Sequence, residues 1–245
     1  MRLYLYAIAE GLTSVGDVTG VQNEMLTLLP AGSVSIVAGW VTDRPVVSRN
    51  TLEAQDGIVR VLHSRADALL PMRFGSSADS VEALAQLVGP LAPRIAEACS
   101  LVRGREQMTV RVLRTRTEGA VGAGGALGAE GAGAKGASGA EGTSGGLGAE
   151  SASGAGARYL AERAAKRIPT EVTPLLDAFR DLQRATRVER GQHRDVVATI
   201  YQLIDRGGCE TYRERVIAAA EGLPSLTLRV SGPSPAYAFA ALSAP

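Results

Sequence analysis

Leu69-Leu70-Pro71-Met72-Arg73-Phe74-Gly75, running on into Ser76-Ser77-Ala78-Asp79-Ser80-Val81-Glu82, is the stretch whose reading decides the fold. A short apolar run meets a glycine, and a helical pattern starts a few residues later, so the segment reads as strand, turn and helix. Pro71 has no N–H to give a ladder, which sets the strand at an edge or begins it at the proline. Asp79 and Glu82 have the spacing of a capping box. Phe74 is expected to anchor the core. Arg73 is the odd member, a full charge between Met72 and Phe74.

Upstream, Thr51 can cap a helix whose apolar side is Leu52, Ile58, Val59, Leu62 and Ala66. Ser33–Ala38 and Trp40–Val47 read as two strands joined near Gly39, and Met25–Leu29 as an apolar stretch stopped by Pro30. Residues 3–8 put Leu3, Leu5 and Ala7 on one face and Tyr4, Tyr6 and Ile8 on the other, so a central strand covered on both sides is expected. Downstream, Val81, Leu84, Val88, Leu91 and Ile95 form a helical stripe that Gly89-Pro90 and Pro93 should break near Val88. Gln107–Arg114 alternates as a half-buried strand and closes a first α+β domain, residues 1–117.

Residues 118–157 are different material, holding 15 of the 29 glycines, four glutamates, one lysine and no aromatic. Such a segment buries too little apolar area to offset backbone entropy, so a flexible Gly/Ala/Ser linker, dispensable for folding, is expected. A second α+β domain, residues 158–245, follows. It should hold helices over Arg158–Ile168 and Thr170–Arg184, a strand over Val196–Ile204, a helix over Glu210–Ala220 and a last strand from Leu226.

Hydrophobic residues make up 45% of the chain, enough for real cores, but aromatics only 4%, so those cores rest on Leu, Val, Ile and Ala. A net charge of +1 gives no general case for nucleic acid or a membrane surface. No apolar run approaches a bilayer span and Arg2 leads into no continuous apolar segment, so a soluble cytoplasmic protein is expected. Cys99 and Cys209 lie far apart, without metal-ligand spacing, and read as free thiols.

Catalytic candidates are few. His63 and His193 are the only histidines, and a lone helical histidine is ordinarily a surface or capping residue. No nucleophile elbow, Walker A, HExxH or dinucleotide glycine pattern is present. Arg73 could hold an anion near the helix start or simply order its turn. Arg180, Arg184, Arg187, Arg190 and Arg194 would align on a long helix, with acidic residues interspersed, as a solvated face rather than a nucleic-acid patch. Pro233, Pro235, Tyr237 and Phe239 could close the second core or offer an aromatic docking site.

Three of these segments carry a resemblance. Leu69–Leu87 resembles the "vLPlrFGt" segment of gas vesicle proteins of the GvpF/GvpL family, Leu3–Ile8 its first strand, and Gly232–Phe239 its terminal "GPWPPYSF". Ser234 stands where that pattern has tryptophan, Ala236 replaces its second proline, and Gln55 lies near where it has a histidine. The resemblance implies a ferredoxin-like first domain and a second, modified one. It implies an accessory protein of gas vesicle formation, located in the cytoplasm and on the vesicle, that is not an enzyme and needs no cofactor or metal. Its partners would be the main shell protein and other accessory proteins, with no nucleic acid, membrane or small-molecule substrate. Arg73, Phe74, Tyr237 and Phe239 are the candidate partner-binding residues. The competing class is a ligand-sensing regulatory module, since ferredoxin-like sheets often bind small molecules.

Overall fold

β1, Arg2–Glu10, is buried along nearly its whole length and gives the first sheet its centre. It pairs antiparallel with β3 (Val34–Val41) on one side and β4 (Ala68–Pro71) on the other, and β2 (Leu26–Ala31) adds outside β3. The order is β2-β3-β1-β4, with the two-residue β5 (Ser77–Ala78) also on β1. The computed structural model describes residues 1–115, 168–191 and 193–240. The linker expected over 118–157 and the helix expected from Arg158 lie outside the described residues.

Both faces of the sheet are covered, as the apolar pattern of β1 demands. On one face, α1 (Arg49–Arg65) brings Val59 and Leu62 against Tyr4, Tyr6, Val37 and Leu69. On the other, α2 (Val81–Val88) and α3 (Ala92–Val102) bring Leu84, Ile95, Cys99 and Val102 against Leu3, Leu5, Ile36 and Leu70. The two helices are separated by a 3₁₀ turn at Gly89–Leu91, so the break falls where the prolines call for it. Strict alternation along β1 fails at one point. The register shifts between Leu5 and Ala7, so Ile8 joins Leu3 and Leu5 while Ala7 joins the tyrosines. One extra residue exchanges the faces of everything after it.

Other expectations near this sheet shift by a few residues. β3 runs straight through Gly39, and the hairpin turn is at Gly32-Ser33. Gly39 is there because Glu24 packs on it: a Cβ would lie 2.5 Å from Glu24 Cγ. Helix α1 is capped by Ser48, with Thr51 completing the capping box. Helix α2 is capped by Ser80, whose Oγ accepts from Ala83 N at 3.1 Å, while Asp79 turns outward to Arg2.

The second sheet comprises β6 (Arg105–Arg114), β7 (Ala185–Arg190), β8 (Val196–Asp205) and β9 (Leu226–Ser234) in the order β7-β8-β6-β9. With α4 (Thr173–Ala178) before β7 and α5 (Cys209–Glu221) between β8 and β9, this is the β-α-β-β-α-β ferredoxin-like order. The first sheet repeats that strand order with residues 11–25 as a loop where a helix would stand. The fold is α+β, built on two antiparallel sheets.

β6, expected to close the first domain, is an interior strand of the second sheet. Its Met108, Val110 and Val112 are fully buried against Val172, Leu175, Phe179, Ile200 and Tyr212, the core that only this pairing completes. Both sheets belong to one compact unit, and Leu203 and Ala236 enter the core of the first. The helix expected over Thr170–Arg184 is shorter. It ends at Ala178, because Phe179 leaves the helix to stack on Tyr212 with ring centroids 5.1 Å apart. The arginines therefore do not align: Arg187 and Arg190 lie on β7.

Candidate functional site

Between its pairing with β4 and with β5, the edge of β1 is left to a loop, residues 72–76. Met72 N donates to Tyr6 O and Leu5 N donates to Ser76 O, both at 2.9 Å, so the loop stays tied to β1 at its bulge. Ser76 N donates back to Arg73 O at 3.1 Å, closing a turn in which Gly75 takes φ +85°, a left-handed conformation that favours glycine. Two buried side chains fix this turn from below. Tyr4 Oη donates to Gln55 Oε1 at 2.6 Å and accepts from Gly75 N at 3.0 Å. Gln55, only 5% exposed, donates Nε2 to Met72 O at 3.2 Å. Burial raises the Tyr4 phenol above its ordinary range, so it stays a donor.

The turn thus separates its two notable side chains. Phe74 is half-buried and meets Tyr4 edge to face at 6.0 Å, not the fully buried anchor expected. Arg73 is exposed, and its guanidinium has no hydrogen-bond or ion-pair partner among the described residues.

The closing segment is held differently. Pro235 and Ala236 are buried, Ala236 and Phe239 pack on the first core, and Tyr237–Phe239 form one 3₁₀ turn. Ala238 N donates to Gln107 Oε1 at 2.8 Å, and Arg60 Nη1 donates to Pro233 O at 3.0 Å. Tyr237 Oη donates to Asp56 Oδ1 at 2.8 Å, while the ring stays 40% exposed. Burial, then the Asp56 carboxylate, pushes this phenol well above its usual range. The tail therefore does not close the second core, one of the two roles its sequence allows; Ala236 and Phe239 join the first core instead, while the Tyr237 ring stays exposed.

Arg73 and Tyr237 meet in one cleft of about 310 Å³. Its apolar surface comes from Pro71, Met72, Ala238 and Ala240, and its far side from Arg187 and Glu189 of β7 with Tyr201 of β8. Arg187 is satisfied on the protein: Nη1 donates to Ala238 O at 2.9 Å and Nη2 lies 3.0 Å from Glu189 Oε1. Tyr201 Oη donates to Glu189 Oε2 at 3.2 Å. Phe74 and Phe239 do not line the cleft. Nothing in the spacing of Arg187, Glu189 and Tyr201 marks them for this site. The alternation Thr186, Val188 against Arg187, Glu189 is the signal that a strand, and not a helix, presents them.

Neither histidine pairs with a carboxylate or a nucleophile among the described residues. His63 Nε2 sits 3.2 Å from Arg105 O, and Arg206 donates to the His63 carbonyl at 3.0 Å. Burial, then the Arg206 charge, lowers its pKa. His193 lies in the turn before β8, its carbonyl accepting from Val196 N at 3.0 Å. Among the described residues no three His, Cys, Asp or Glu side chains group as metal ligands, and no helix is long and apolar enough to cross a membrane. Cys99 is buried, which pushes its thiol up to about 11, and Cys209 is half-buried; both are free. A second groove, about 190 Å³, runs between β2 and α2 and is lined by Leu29, Ile36, Leu84 and Val88.

Residues 2–241 match the family described as gas vesicle synthesis protein GvpL/GvpF. The crystal structure of the gas vesicle protein GvpF from Anabaena sp. PCC7120 superposes with a TM-score of 0.70 at 16% identity, covering 99% of this chain and 97% of that one. GvpF from Microcystis aeruginosa gives a TM-score of 0.69 at 15% identity, over 98% of each chain. At such identities these likenesses show the fold. No curated protein sequence matches this chain.

Proposed function

This chain belongs to the gas vesicle GvpL/GvpF family, and from that premise we propose that it is an accessory or minor structural protein of vesicle assembly that binds the main shell protein. The observation that carries the reading is the extent of the family match, residues 2–241, which spans both sheets, the Arg73 turn and the tail. Function then rests on surfaces, with other accessory vesicle proteins as further partners and no reaction of its own. The cytoplasm and the vesicle surface are the places where such a protein works. Of the four candidate residues, Arg73 and Tyr237 are the exposed ones, and they are partner-facing in this reading. Phe74 and Phe239 act behind them, through packing.

Co-purification tests this directly. The full chain, tagged and drawn from cells that form vesicles, should enrich the shell protein and at least one accessory protein. A strain lacking the chain should form few or no vesicles. Normal vesicles without it, and no vesicle protein in the eluate, would sink the reading. His63→Gln combined with His193→Gln should leave vesicle formation intact. Loss of vesicles in that folded variant, with shell-protein capture unchanged, would instead point to chemistry at a histidine.

A further inference from the structure

We propose that the cleft between Pro71–Arg73 and the β7–β8 wall docks an extended segment of a partner protein, with a carboxylate on Arg73 and a neighbouring apolar side chain on Met72 and Ala238. This rests on the reading of the chain as a binding protein, and it adds the chemistry of what is bound. The charge inventory carries it. Arg187 is occupied by Glu189 and by the Ala238 carbonyl, Glu189 also takes the Tyr201 hydroxyl, and the Tyr237 hydroxyl is spent on Asp56. Arg73 is left as the one cation of the lining with no partner among the described residues. The cleft is complementary to a single negative charge.

The surface beside that charge is apolar, so a bare anion would leave most of the contact unused. A volume of about 310 Å³ takes a pair of side chains and not a folded surface. Arg187 and Glu189 of β7 and Tyr201, the cross-strand partner of Arg187, line the cleft from one face of the sheet, so the occupant lies across that face. Arg73 is also presented on a rigid base. The Tyr4–Gln55 pair and the ties to β1 hold its backbone before anything binds, so docking orders only the guanidinium stem.

The test uses the full chain, labelled at methionine methyls and arginine Nε–H, titrated with N-acetyl-Leu-Glu-Leu amide and with its Leu-Gln-Leu counterpart. Saturable shifts at Met72 and Arg73 are expected. The glutamine peptide, and the Arg73→Gln variant with the glutamate peptide, should each bind more weakly by on the order of five-fold. That difference should shrink at high salt. Arg73 is exposed, and an unchanged methyl signal from Met108, buried in the second core, together with unchanged Arg60 and Arg105 Nε–H signals, certifies the variant's fold.

Equal binding of the two peptides, no saturable shift at the cleft, or equal displacement by acetate alone overturns the proposal. The same shifts on concentrating the protein without peptide would give the cleft to a second copy, and also overturn it. Shell-protein capture separates this from the wider reading. If the glutamate peptide binds as stated but capture ignores Arg73→Gln, the cleft stands and the shell protein is not its occupant. If capture persists and neither peptide binds, the cleft proposal falls alone.

Discussion

The loop at residues 72–76 and the tail at residues 233–239 border the same cleft, and their cleft-facing parts are held differently. The loop hangs on Tyr4 and Gln55, both buried, and on main-chain bonds to β1. The tail is anchored by Ala236 in the first core and by Ala238 N on buried Gln107, but its rim is held by exposed arginines, Arg60 and Arg187, and by the half-buried Asp56. Interior hydrogen bonds are strong and expensive to leave unmade, whereas solvated ones contribute little. The loop wall is therefore fixed wholly from the interior, whereas the outer rim of the tail, at the Tyr237 ring, can adjust around its buried anchors. A site that must present Arg73 at a defined place while accepting a partner benefits from that division.

The largest effect should come from the core strand that leads into the loop. Leu70, fully buried on β4 in the core beneath α2 and α3, should cost roughly 2–5 kcal/mol on truncation to alanine. Phe74→Ala removes a half-buried ring with one edge-to-face contact and should cost about 1–2 kcal/mol. Urea midpoints decide it. If Phe74→Ala costs as much as Leu70→Ala, the ring is a core anchor after all and the loop is not divided as described.

Tyr4→Phe is next. It deletes a hydroxyl that serves two buried partners, Gln55 Oε1 and Gly75 N, and should cost about 1–3 kcal/mol. Amide exchange at Gly75 should quicken while the β3 amides keep their protection. Uniform loss of protection would show that Tyr4 supports the sheet and not specifically the turn.

α1 carries Asp56, the anchor of the tail, and His63, whose ring contacts Arg105 of β6. The folded-state pKa of His63 is lowered from 6.5, first by burial and then by Arg206. The unfolded chain therefore takes up a proton below about 6.5 that the folded protein resists. Its contribution is fully present above that pH and is lost as the pH falls from there toward the lowered value. His63→Gln should flatten this part of the stability–pH curve. An unchanged slope would mean that the imidazole is as accessible in the folded chain as in the unfolded one.

The elements were legible in part, because β1, β6 and β9 announce themselves by alternation and α2–α3 by a proline break. What local periodicity could not carry was partnership. β6 reads the same whichever sheet it joins, and only the buried faces of Met108, Val110 and Val112 assign it to the second core. The bulge at Tyr6 leaves no mark in composition, yet it exchanges Ala7 and Ile8 between faces. The arginines from Arg180 to Arg194 suited a helix by spacing, but Phe179 had a better place on Tyr212 and the chain turned early. At the site, Arg73 and Tyr237 were visible as oddities. Their meeting was not, since it depends on Asp56, Arg60 and Arg187, all far away in sequence.

Tyr237→Phe should have the smallest effect on stability, below about 1 kcal/mol, because it deletes one hydrogen bond at a 40% exposed ring. Its consequence should be local. Without the Tyr237–Asp56 bond, the 3₁₀ turn keeps its tie to Gln107 and to Arg187 but loses its tie to α1. Faster amide exchange at Ala238 and Phe239, with none at Gly75, is the expected pattern. Asp56 also accepts from Arg60 Nε at 2.6 Å, and Arg60 in turn holds the Pro233 carbonyl, so the carboxylate keeps a cationic partner when the phenol is gone. That redundancy is why the loss should be small. A cost near that of Tyr4→Phe, or exchange that spreads to the turn, would show that the two walls are one rigid piece, and the division between a fixed and an adjustable side would have to be abandoned.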